Sequence, residues 1–249
     1  MKRRLDAEMV GRKLVGSRSQ AESWIKLGKV LVDGRAASKS GQFVREDTEI
    51  HLTTSEQYVS RAGLKLASVA KLLGIDFKNA IVLDVGSSTG GFTDYALQHD
   101  ARKVFAVDVG TDQLHPSLQG HPKIELHEKT DIRDFIPSET PDIIVIDVSF
   151  ISLRDILPHL VHNVANEKTM IAAMVKPQFE AGRNQTNKGI IKNDSVRRQI
   201  LKDFETWARE YFVIQDKRDS DVAGAKGNRE RFYLLTLNRN STTSPGRIT

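Results

Sequence analysis

The 249-residue chain contains no cysteine, which excludes disulfide bonds, thiolate metal sites and cysteine nucleophiles. It also has no apolar run near the ~18 residues that a membrane-spanning helix needs, and its N-terminus lacks the apolar core of a signal peptide. We therefore expect a cytoplasmic protein with no membrane partner. The seven histidines are scattered without metal-ligand spacing, and we expect no metal site.

Positive charge is concentrated at the front of the chain. Residues 1–45 contain eleven Lys and Arg against four Asp and Glu, whereas the whole chain has a net charge of only +5. A basic head on a nearly neutral body is typical of proteins that bind nucleic acid, because Lys and Arg contacts to phosphates supply most non-specific affinity. An ordinary solvated surface explains the charge equally well.

The first fifty residues read as two helices followed by a hairpin. Leu5, Met9 and Leu14 form an apolar stripe, and Asp33-Gly34 is a hairpin signal before a stretch that closes at Ile50 and Leu52. The polar segment 53–56 is the best candidate for a linker. We expect a small α+β domain over residues 1–55.

The remainder of the chain alternates helical patterns with short apolar strands. The predicted strands are Ile81–Val85, Val104–Asp108, Ile143–Asp147, Met170–Val175 and, as an edge strand, Arg231–Leu237. Continuous apolar strands separated by helices predict an α/β fold with a doubly wound, Rossmann-like sheet, whose ligands bind at the carboxyl ends of the strands. We expect this domain to span residues 56–240 and a disordered tail to span 241–249.

A glycine-rich loop follows the first of these strands. It reads Asp84-Val-Gly86-Ser87-Ser88-Thr89-Gly90-Gly91-Phe92, and it precedes a helix whose free N–H groups favour a polar or anionic ligand. The loop is not G-x-G-x-x-G, because Ser88 stands at the second glycine position. Asp108 ends the next strand, where a carboxylate can accept hydrogen bonds from both ribose hydroxyls of an adenosine. The pattern favours a methyltransferase and leaves open a nucleotide-binding oxidoreductase, or a tight turn with no ligand.

Four ionisable residues fall where a doubly wound sheet would bring them to one cleft. Asp147 and Lys176 follow strands, Lys65 lies on the helix before the first strand, and Glu230 precedes the last strand. Two lysines between two carboxylates would repel a cation. Such a set suits methylation of a hydroxyl, since a lysine can orient the hydroxyl or accept its proton while carboxylates hold the lysines. Each of the four residues can also be interpreted as a charged side chain that is exposed to solvent and has no catalytic role.

Several blocks together resemble a known family. They are Ser60-Arg-Ala-Gly-Leu-Lys-Leu66, Asp84 to Asp94, Asp147-Val-Ser-Phe-Ile-Ser-Leu153, Lys176-Pro-Gln-Phe-Glu-Ala-Gly182 and Lys226-Gly-Asn-x-Glu230. In this order they resemble the TlyA family of ribosomal RNA ribose methyltransferases, some of which are labelled hemolysins. The first fifty residues resemble the S-four-type RNA-binding module.

The resemblance implies a methyltransferase domain of the FtsJ/RrmJ kind, with S-adenosylmethionine as cofactor and S-adenosylhomocysteine as product. It implies transfer of a methyl group to a ribose 2′-OH of cytidine in ribosomal RNA of one or both subunits. The catalytic set carried over is Lys65, Asp147, Lys176 and Glu230. The cofactor set is Asp84, Gly86, Ser87, Ser88, Thr89, Gly90, Gly91, Phe92, Asp108, Asp131 and Asp147. Two positions depart from the family pattern, since Ala62 and Asp131 stand where glycine and asparagine are usual.

The resemblance also implies that the basic N-terminal segment binds RNA and recruits ribosomal RNA or ribosomal subunits. We predict that its contacts include Arg4, Arg18, Lys26, Lys29, Arg35 and Lys39. Two other functions stay open, a membrane-lytic protein and an RNA-binding protein without catalysis. The absence of spanning segments and of alternating barrel strands argues against the first, and the four catalytic candidates argue against the second.

Overall fold

A computed structural model describes residues 2–26, 28–53, 58–182, 190–191, 193–222, 224 and 227–238, with only the backbone of Ser19. Most of the predicted linker, Lys226 and the predicted tail 241–249 lie outside these residues.

The first fifty residues form two helices and two small antiparallel sheets. In chain order the elements are β1 (Lys2–Arg4), α1 (Leu5–Gly11), α2 (Arg18–Lys26), β2 (Val30–Val32), β3 (Arg35–Ala36), β4 (Phe43–Arg45) and β5 (Ile50–Leu52). Strand β2 pairs with β3 and β5, and Asp33 and Gly34 form the predicted turn with positive φ angles. The pairing of β1 with β4 was not predicted, because β1 is three exposed basic residues with no apolar pattern.

The remaining elements build one large sheet and its flanking helices. They are α3 (Arg61–Ala70), β6 (Ile81–Val85), α4 (Gly91–Gln98), β7 (Lys103–Val107), β8 (Ile124–His127), β9 (Ile143–Ile146), α5 (Leu157–His159), β10 (Met170–Val175), α6 (Pro177–Glu180), α7 (Asp194–Ala208), β11 (Phe212–Asp219) and β12 (Arg231–Leu237). Single 3₁₀ turns span Ile132–Asp134 and Leu153–Asp155, and a π-helical segment, Leu160–Val164, continues α5.

The large sheet has seven strands in the order β11-β12-β10-β9-β6-β7-β8. The five strands from β10 to β8 are parallel, whereas β12 is antiparallel to both β10 and β11. Side chains alternate between the two faces of this sheet. Val82 joins the apolar cluster that includes α3 and α4, and Leu83 joins the cluster that includes α5 and α7. Both faces are therefore covered, which confirms the predicted doubly wound α/β fold.

The position of strand β12 in the sheet differs from the prediction. The prediction of an edge strand over Arg231–Leu237 is wrong, because β12 lies between β10 and β11 and its Phe232–Leu235 run is buried. Strand β11 forms the edge instead. In its polar sequence, from Phe212 to Asp219, only Phe212 is buried and the other residues are half-buried or exposed, so it shows no continuous apolar run. Strand β8 at the opposite edge was missed for the same reason, since its four residues are at most half-buried.

Helices α3 and α4 approach each other at two glycines. A Cβ atom on Gly91 would collide with Ser60 Oγ and would lie 2.8 Å from the backbone nitrogen of Gly63. A Cβ on Gly63 would lie 2.9 Å from the carbonyl oxygen of Gly91. Real Cβ atoms do not approach so closely, so this contact accepts no larger residue. It brings the helix that carries Lys65 against the start of the helix that follows the glycine loop.

The N-terminal elements share apolar packing with the large domain. Trp24 and Ile25 of α2 belong to the same buried cluster as Tyr58 and Leu64. In addition, Gln20 Nε2 donates to the Tyr58 carbonyl oxygen at 2.8 Å in a buried position. The two parts of the chain are thus in direct contact across the predicted linker. In the described part of the chain, no helix has both the length and the apolar character needed to cross a bilayer.

The close contact at Gly91 predicts a stability effect. Gly91→Ala should lower the free energy of unfolding by about 1–3 kcal/mol, because the added methyl group would collide with the backbone of α3. Thermal unfolding of the purified protein measures the change. The matched control is Gly11→Ala in α1, where an added Cβ meets nothing within 4 Å. An unchanged melting temperature for Gly91→Ala would contradict the packing described above.

Candidate functional site

The glycine loop after β6 adopts backbone conformations that its sequence permits. Gly86 has a φ of 80° and Gly90 a φ of 86°, both in the left-handed region, and Ser88 lies there too at 46°. A Cβ on Gly86 would lie 3.0 Å from the carbonyl oxygen of Asp147. Glycine is therefore required at position 86 both for its φ and for close contact with the segment that follows β9.

Two adjoining cavities open at this loop, at the carboxyl ends of the parallel strands. One has a volume of about 400 Å³ and the other about 150 Å³. Both are lined by Gly86, Ser88, Asp147 and Ser149, so the loops after β6 and β9 form the boundary between them. The position agrees with the rule that α/β sheets bind ligands outside the carboxyl ends of their strands.

The small cavity contains buried acceptors that lack partners among the described residues. Asp84 is only 1% exposed; its Oδ2 accepts from the backbone nitrogen and Oγ1 of Thr93 at 2.9 and 2.7 Å, whereas its Oδ1 accepts no hydrogen bond. Burial raises the pKa of Asp84 to about 7, although the hydrogen bonds from Thr93 oppose this rise. Ser87 Oγ is likewise buried without a partner in the described structure. Unsatisfied acceptors here fit a ligand that brings hydrogen-bond donors, such as an ammonium group.

Besides Asp147, the large cavity carries two carboxylates, those of Asp108 and Asp131. Asp108 accepts from the backbone nitrogens of Ser88 and Gly110 at 2.8 and 2.7 Å, which fixes its orientation. Asp131 accepts from Arg133 Nη2 at 2.6 Å and Nε at 3.0 Å, and these hydrogen bonds lower its pKa to about 2. Apolar side chains, those of Val109 and Ile132, line the cavity beside these carboxylates. A polar pair beside an apolar wall suits a nucleoside, whose ribose is polar and whose base is flat.

The four ionisable candidates form two ion pairs. Lys176 Nζ lies 2.5 Å from Asp147 Oδ1 and donates to Ser149 Oγ at 2.8 Å. Lys65 Nζ lies 2.6 Å from Glu230 Oε2, and both side chains are at most 11% exposed. Each charge is thus compensated by its partner, as burial requires.

Strand register brings Asp147, Lys176 and Glu230 to one edge of the sheet. Val85 of β6 pairs with Ile146 of β9, so Gly86 and Asp147 leave the sheet side by side. Val175 of β10 pairs with Arg231 of β12, which places Lys176 beside Glu230.

The structure distributes the predicted site residues over several places. Asp147 and Lys176 line the small cavity, whereas Lys65 and Glu230 are not among the lining residues of either cavity. The predicted cofactor residues that line a cavity are Asp84, Gly86, Ser87, Ser88, Thr89, Phe92, Asp108, Asp131 and Asp147. Gly90 is the N-cap residue of α4 and Gly91 packs against α3, so their position favours a structural role.

Several lining residues were not singled out from the sequence. Val109, Gln113, Thr130 and Ile132 line the large cavity, and Ser149 lines both. Thr130 and Ile132 follow β8, a strand that was not predicted because its sequence lacks a continuous apolar run. The residues after it were therefore not identified as lining residues either. Ser149 lies in the conspicuous Asp147–Leu153 block, which was the one signal that could have identified it.

The basic candidates of the head are all exposed, but two of them also have structural partners. Arg4 Nη2 and Arg18 Nη2 lie 3.0 and 2.9 Å from Oδ2 of the buried Asp6. The hydrogen bond from Arg4 is the largest cause that lowers the pKa of Asp6 to about 2. Lys26 forms an exposed ion pair with Glu22 at 2.9 Å. The side chains of Lys29, Arg35 and Lys39 are exposed.

In the described ranges there is no group of three or more His, Cys, Asp or Glu side chains placed to hold a metal ion.

Comparison with known proteins identifies the family of each part of the chain. The model of the FtsJ-like methyltransferase family matches residues 58–238, and the model of the S4 domain matches residues 3–50. The TlyA protein of Campylobacter jejuni, named a 23S rRNA (cytidine-2′-O)-methyltransferase, is 42% identical over 187 residues, which cover 74% of this chain and 73% of that protein. Hemolysin A of Brachyspira hyodysenteriae is 36% identical over 91% of this chain and 97% of its own length. A solved structure from Streptococcus thermophilus, 35% identical, matches with a TM-score of 0.71 over 96% of this chain and 89% of that chain.

The fold and the family match define a methyltransferase. The chain belongs to the FtsJ-like methyltransferase family, within the group that includes TlyA, and carries an S4 domain at its N-terminus.

The raised pKa of Asp84 predicts a pH-dependent stability difference. The carboxyl group titrates near pH 3.8 when exposed and near 7 when buried. The free energy of unfolding of the native protein therefore decreases as the pH rises from 3.8 to 7, and the decrease is complete above pH 7. Asp84→Asn, which resembles the protonated form, should therefore gain stability relative to the native protein by about 2–3 kcal/mol between pH 5 and pH 8. Chemical denaturation across that range measures the difference. Asp203→Asn, which removes an exposed carboxylate, is the control for loss of one charge. A flat profile for Asp84→Asn would rule out the raised pKa.

Proposed function

We propose that this chain transfers a methyl group from S-adenosylmethionine to a ribose 2′-OH, that of cytidine, in ribosomal RNA of the small subunit, the large subunit or both. The observation that carries the proposal is the Lys176–Asp147 pair, which lines a cavity directly beside the glycine loop. The name of the Campylobacter jejuni relative supports the choice of RNA and of the 2′ oxygen. Such a protein would act in the cytoplasm, on ribosomal subunits or their RNA.

The residues present fit the cofactor. We assign the adenosine end to the large cavity, where Asp108 would accept from the ribose hydroxyls and Asp131 from the adenine amino group, beside Val109 and Ile132. The amino-acid end would meet the unpartnered acceptors Asp84 Oδ1 and Ser87 Oγ. When bound, S-adenosylmethionine supplies an electrophilic methyl group on a sulfonium sulfur.

The acceptor hydroxyl would be handled by the ion pairs. Lys176 must first release its ammonium proton to solvent; the neutral amine then orients the hydroxyl and accepts the proton that the hydroxyl loses, and the Asp147 carboxylate stabilises the ammonium that results. Ser149, which accepts a hydrogen bond from Lys176 at 2.8 Å, restricts the lysine to one orientation. Glu230 orients Lys65, and this second pair lies outside the lining of the two cavities.

The N-terminal domain, residues 1–55, would recruit folded RNA through its exposed basic residues, while residues 56–240 perform the chemistry. Arg4 and Arg18 already neutralise Asp6, so part of their charge is used within the protein. The basic side chains that are most available to bind phosphates are then those of Lys26, Lys29, Arg35 and Lys39. Reaching a hydroxyl within folded RNA requires local distortion of the RNA, as in base-flipping enzymes.

Replacement of the central lysine tests the chemistry. Lys176→Ala should abolish methylation, with a loss of at least about 10²-fold, because the hydroxyl loses the group that orients and deprotonates it. Cofactor affinity should stay within about threefold, since none of the contacts assigned to the cofactor involves Lys176. Transfer of tritiated methyl groups to purified ribosomal subunits from a strain lacking the enzyme, followed by mapping of 2′-O-methylated positions, measures activity; calorimetry measures cofactor binding.

Two results would count against this function. Unchanged methylation by Lys176→Ala would remove the lysine from the mechanism. Cofactor binding without methyl transfer to either subunit would favour an RNA-binding protein, and liposome leakage caused by RNA-free protein would favour the lytic activity suggested by the name of the Brachyspira relative.

Charge removal tests the role of the head. The test variant combines Lys26→Gln, Lys29→Gln, Arg35→Gln and Lys39→Gln, and it should bind RNA more weakly. Its plot of log affinity against log salt should be less steep, by roughly 0.7–0.9 for each phosphate that is no longer neutralised. Filter binding across salt concentrations measures both quantities. A matched control neutralises four exposed lysines of the large domain, Lys71, Lys78, Lys168 and Lys202. Equal slopes for the two variants would refute the recruiting role.

A further inference from the structure

Glu180 is a buried carboxylate that the chemistry above does not use. It ends α6, and its side chain is 1% exposed. Its Oε2 accepts from Ser152 Oγ at 2.6 Å, and its Oε1 accepts from the backbone nitrogen of Leu153 at 2.8 Å. Burial raises the pKa of Glu180, and these two hydrogen bonds oppose that rise. Burying a carboxylate is unfavourable, so its presence at this position calls for a role that an apolar residue could not fill.

Both hydrogen-bond partners of Glu180 belong to the loop that borders the two cavities, and Arg154, just beyond this loop, forms an ion pair with Glu180 at 3.7 Å. This loop, Asp147–Leu153, starts at the carboxylate paired with Lys176 and ends where the 3₁₀ turn Leu153–Asp155 begins. It is held at its front by the hydrogen bond from Lys176 to Ser149 and at its rear by Glu180. The segments that begin at Asp147 and at Lys176 are therefore joined at both ends.

Between these attachments the loop presents an aromatic side chain to solvent. Phe150 is 91% exposed and has a φ of 68°, a left-handed conformation that is rare for a bulky residue. Its ring lies 5.1 Å from that of Phe179, the residue before Glu180. A backbone conformation of this kind persists only where the surrounding structure imposes it. The two attachments hold Ser149 and Ser152, which lie one and two residues from Phe150 in the chain.

An exposed aromatic ring at the mouth of the site suits an unstacked base, because every base has a flat face that stacks on aromatic side chains. We propose that Glu180 is a positioning residue: by accepting hydrogen bonds from Ser152 and Leu153, it holds loop 147–153 in the conformation that directs Phe150 toward the nucleotide to be methylated. This inference rests on the proposed function only for the identity of the ligand. The effect of Glu180 on the loop is independent of it.

The first experiment measures the loop without RNA or cofactor. Phe150→Trp places a fluorescent reporter in the full-length chain, and the native tryptophans Trp24 and Trp207 are subtracted with the unaltered protein. Adding Glu180→Ala should lower the anisotropy of the reporter and change its quenching by acrylamide, because the rear attachment is removed. Adding Glu180→Gln should leave both unchanged, since an amide can accept from Leu153 and donate to Ser152 Oγ.

The second experiment measures the consequence for methylation. Glu180→Ala should lower kcat/KM for RNA by roughly tenfold to a hundredfold, mainly through KM, because hydrogen bonds to a charged group are removed. Glu180→Gln should stay within about threefold of the native value. In a Phe150→Ala background the further decrease caused by Glu180→Ala should nearly vanish, because the carboxylate acts through that ring.

Controls separate positioning from general stability. Glu205 is also largely buried and accepts from Tyr233 Oη at 2.8 Å and from Lys217 Nζ at 2.7 Å. Glu205→Ala should lower the melting temperature without altering the reporter or the KM for RNA. Should Glu180→Ala fail to fold, Ser152→Ala removes one of the two hydrogen bonds and should give a smaller change of the same kind.

Two results would overturn the inference. An unchanged reporter in Glu180→Ala, or in Ser152→Ala if that variant is the one that folds, would show that the carboxylate does not hold the loop. Equal decreases of kcat/KM in the native and Phe150→Ala backgrounds would show that it does not act through Phe150. Failure of the proposed function gives a different pattern, a responsive reporter in a native protein that methylates neither subunit.

Discussion

The hydrogen-bonded register of the central strands brings residues that are distant in sequence to one edge of the sheet. Strand β6 is aligned with β9, and β10 with β12, so the segments after Val85, Ile146 and Val175 and before Arg231 all lie at that edge. Parallel pairing with covered faces makes this register hard to change, because a shift by one residue would turn each apolar side chain to the opposite face. The glycine loop, both ion pairs and both cavities depend on it.

Electrostatics divides the buried charges of the site into two kinds. Lys65 with Glu230 and Lys176 with Asp147 are mutually compensated, so the folded protein holds them without a ligand. Asp84 differs, since a second carboxylate, Asp147, adds to the effect of burial and one of its oxygens accepts no hydrogen bond in the described structure. The folded protein therefore holds the Asp84 carboxylate in an unfavourable environment beside the glycine loop. A cationic ligand there would relieve it.

The N-terminal domain shows how charge serves two purposes in one small structure. Arg12 donates to the carbonyl oxygens of Thr48, Arg45 and Glu46, at 2.7 to 3.3 Å, and so connects α1 to the turn between β4 and β5. Arg4 and Arg18 surround a buried aspartate. A domain of about fifty residues has little apolar surface to bury, and side-chain hydrogen bonds of this kind supplement its core. Counting charges therefore overstates the number of side chains that face a partner.

Much of this molecule follows from local patterns in the sequence. Apolar runs identified the five inner strands of the large sheet, because a buried strand needs apolar residues on both faces. The glycine loop and Asp108 were identified because a close approach of the backbone and a strand-end carboxylate have few substitutes. The four ionisable residues were selected by resemblance to a family, since a lysine or glutamate looks the same in sequence whether it is exposed or paired.

Tertiary structure alone decided the rest. The edge strands β8 and β11 are half solvated, so their sequences lack the apolar signal, and the inner position of β12 depends on which neighbour it pairs with. The pairing of Lys65 with Glu230, the exposure of Phe150 and the burial of Glu180 each depend on segments far apart in the chain. Sequence determined which chemical groups were available and the approximate fold. Strand register and side-chain burial, which arise only when distant segments pack, decided which of those groups meet.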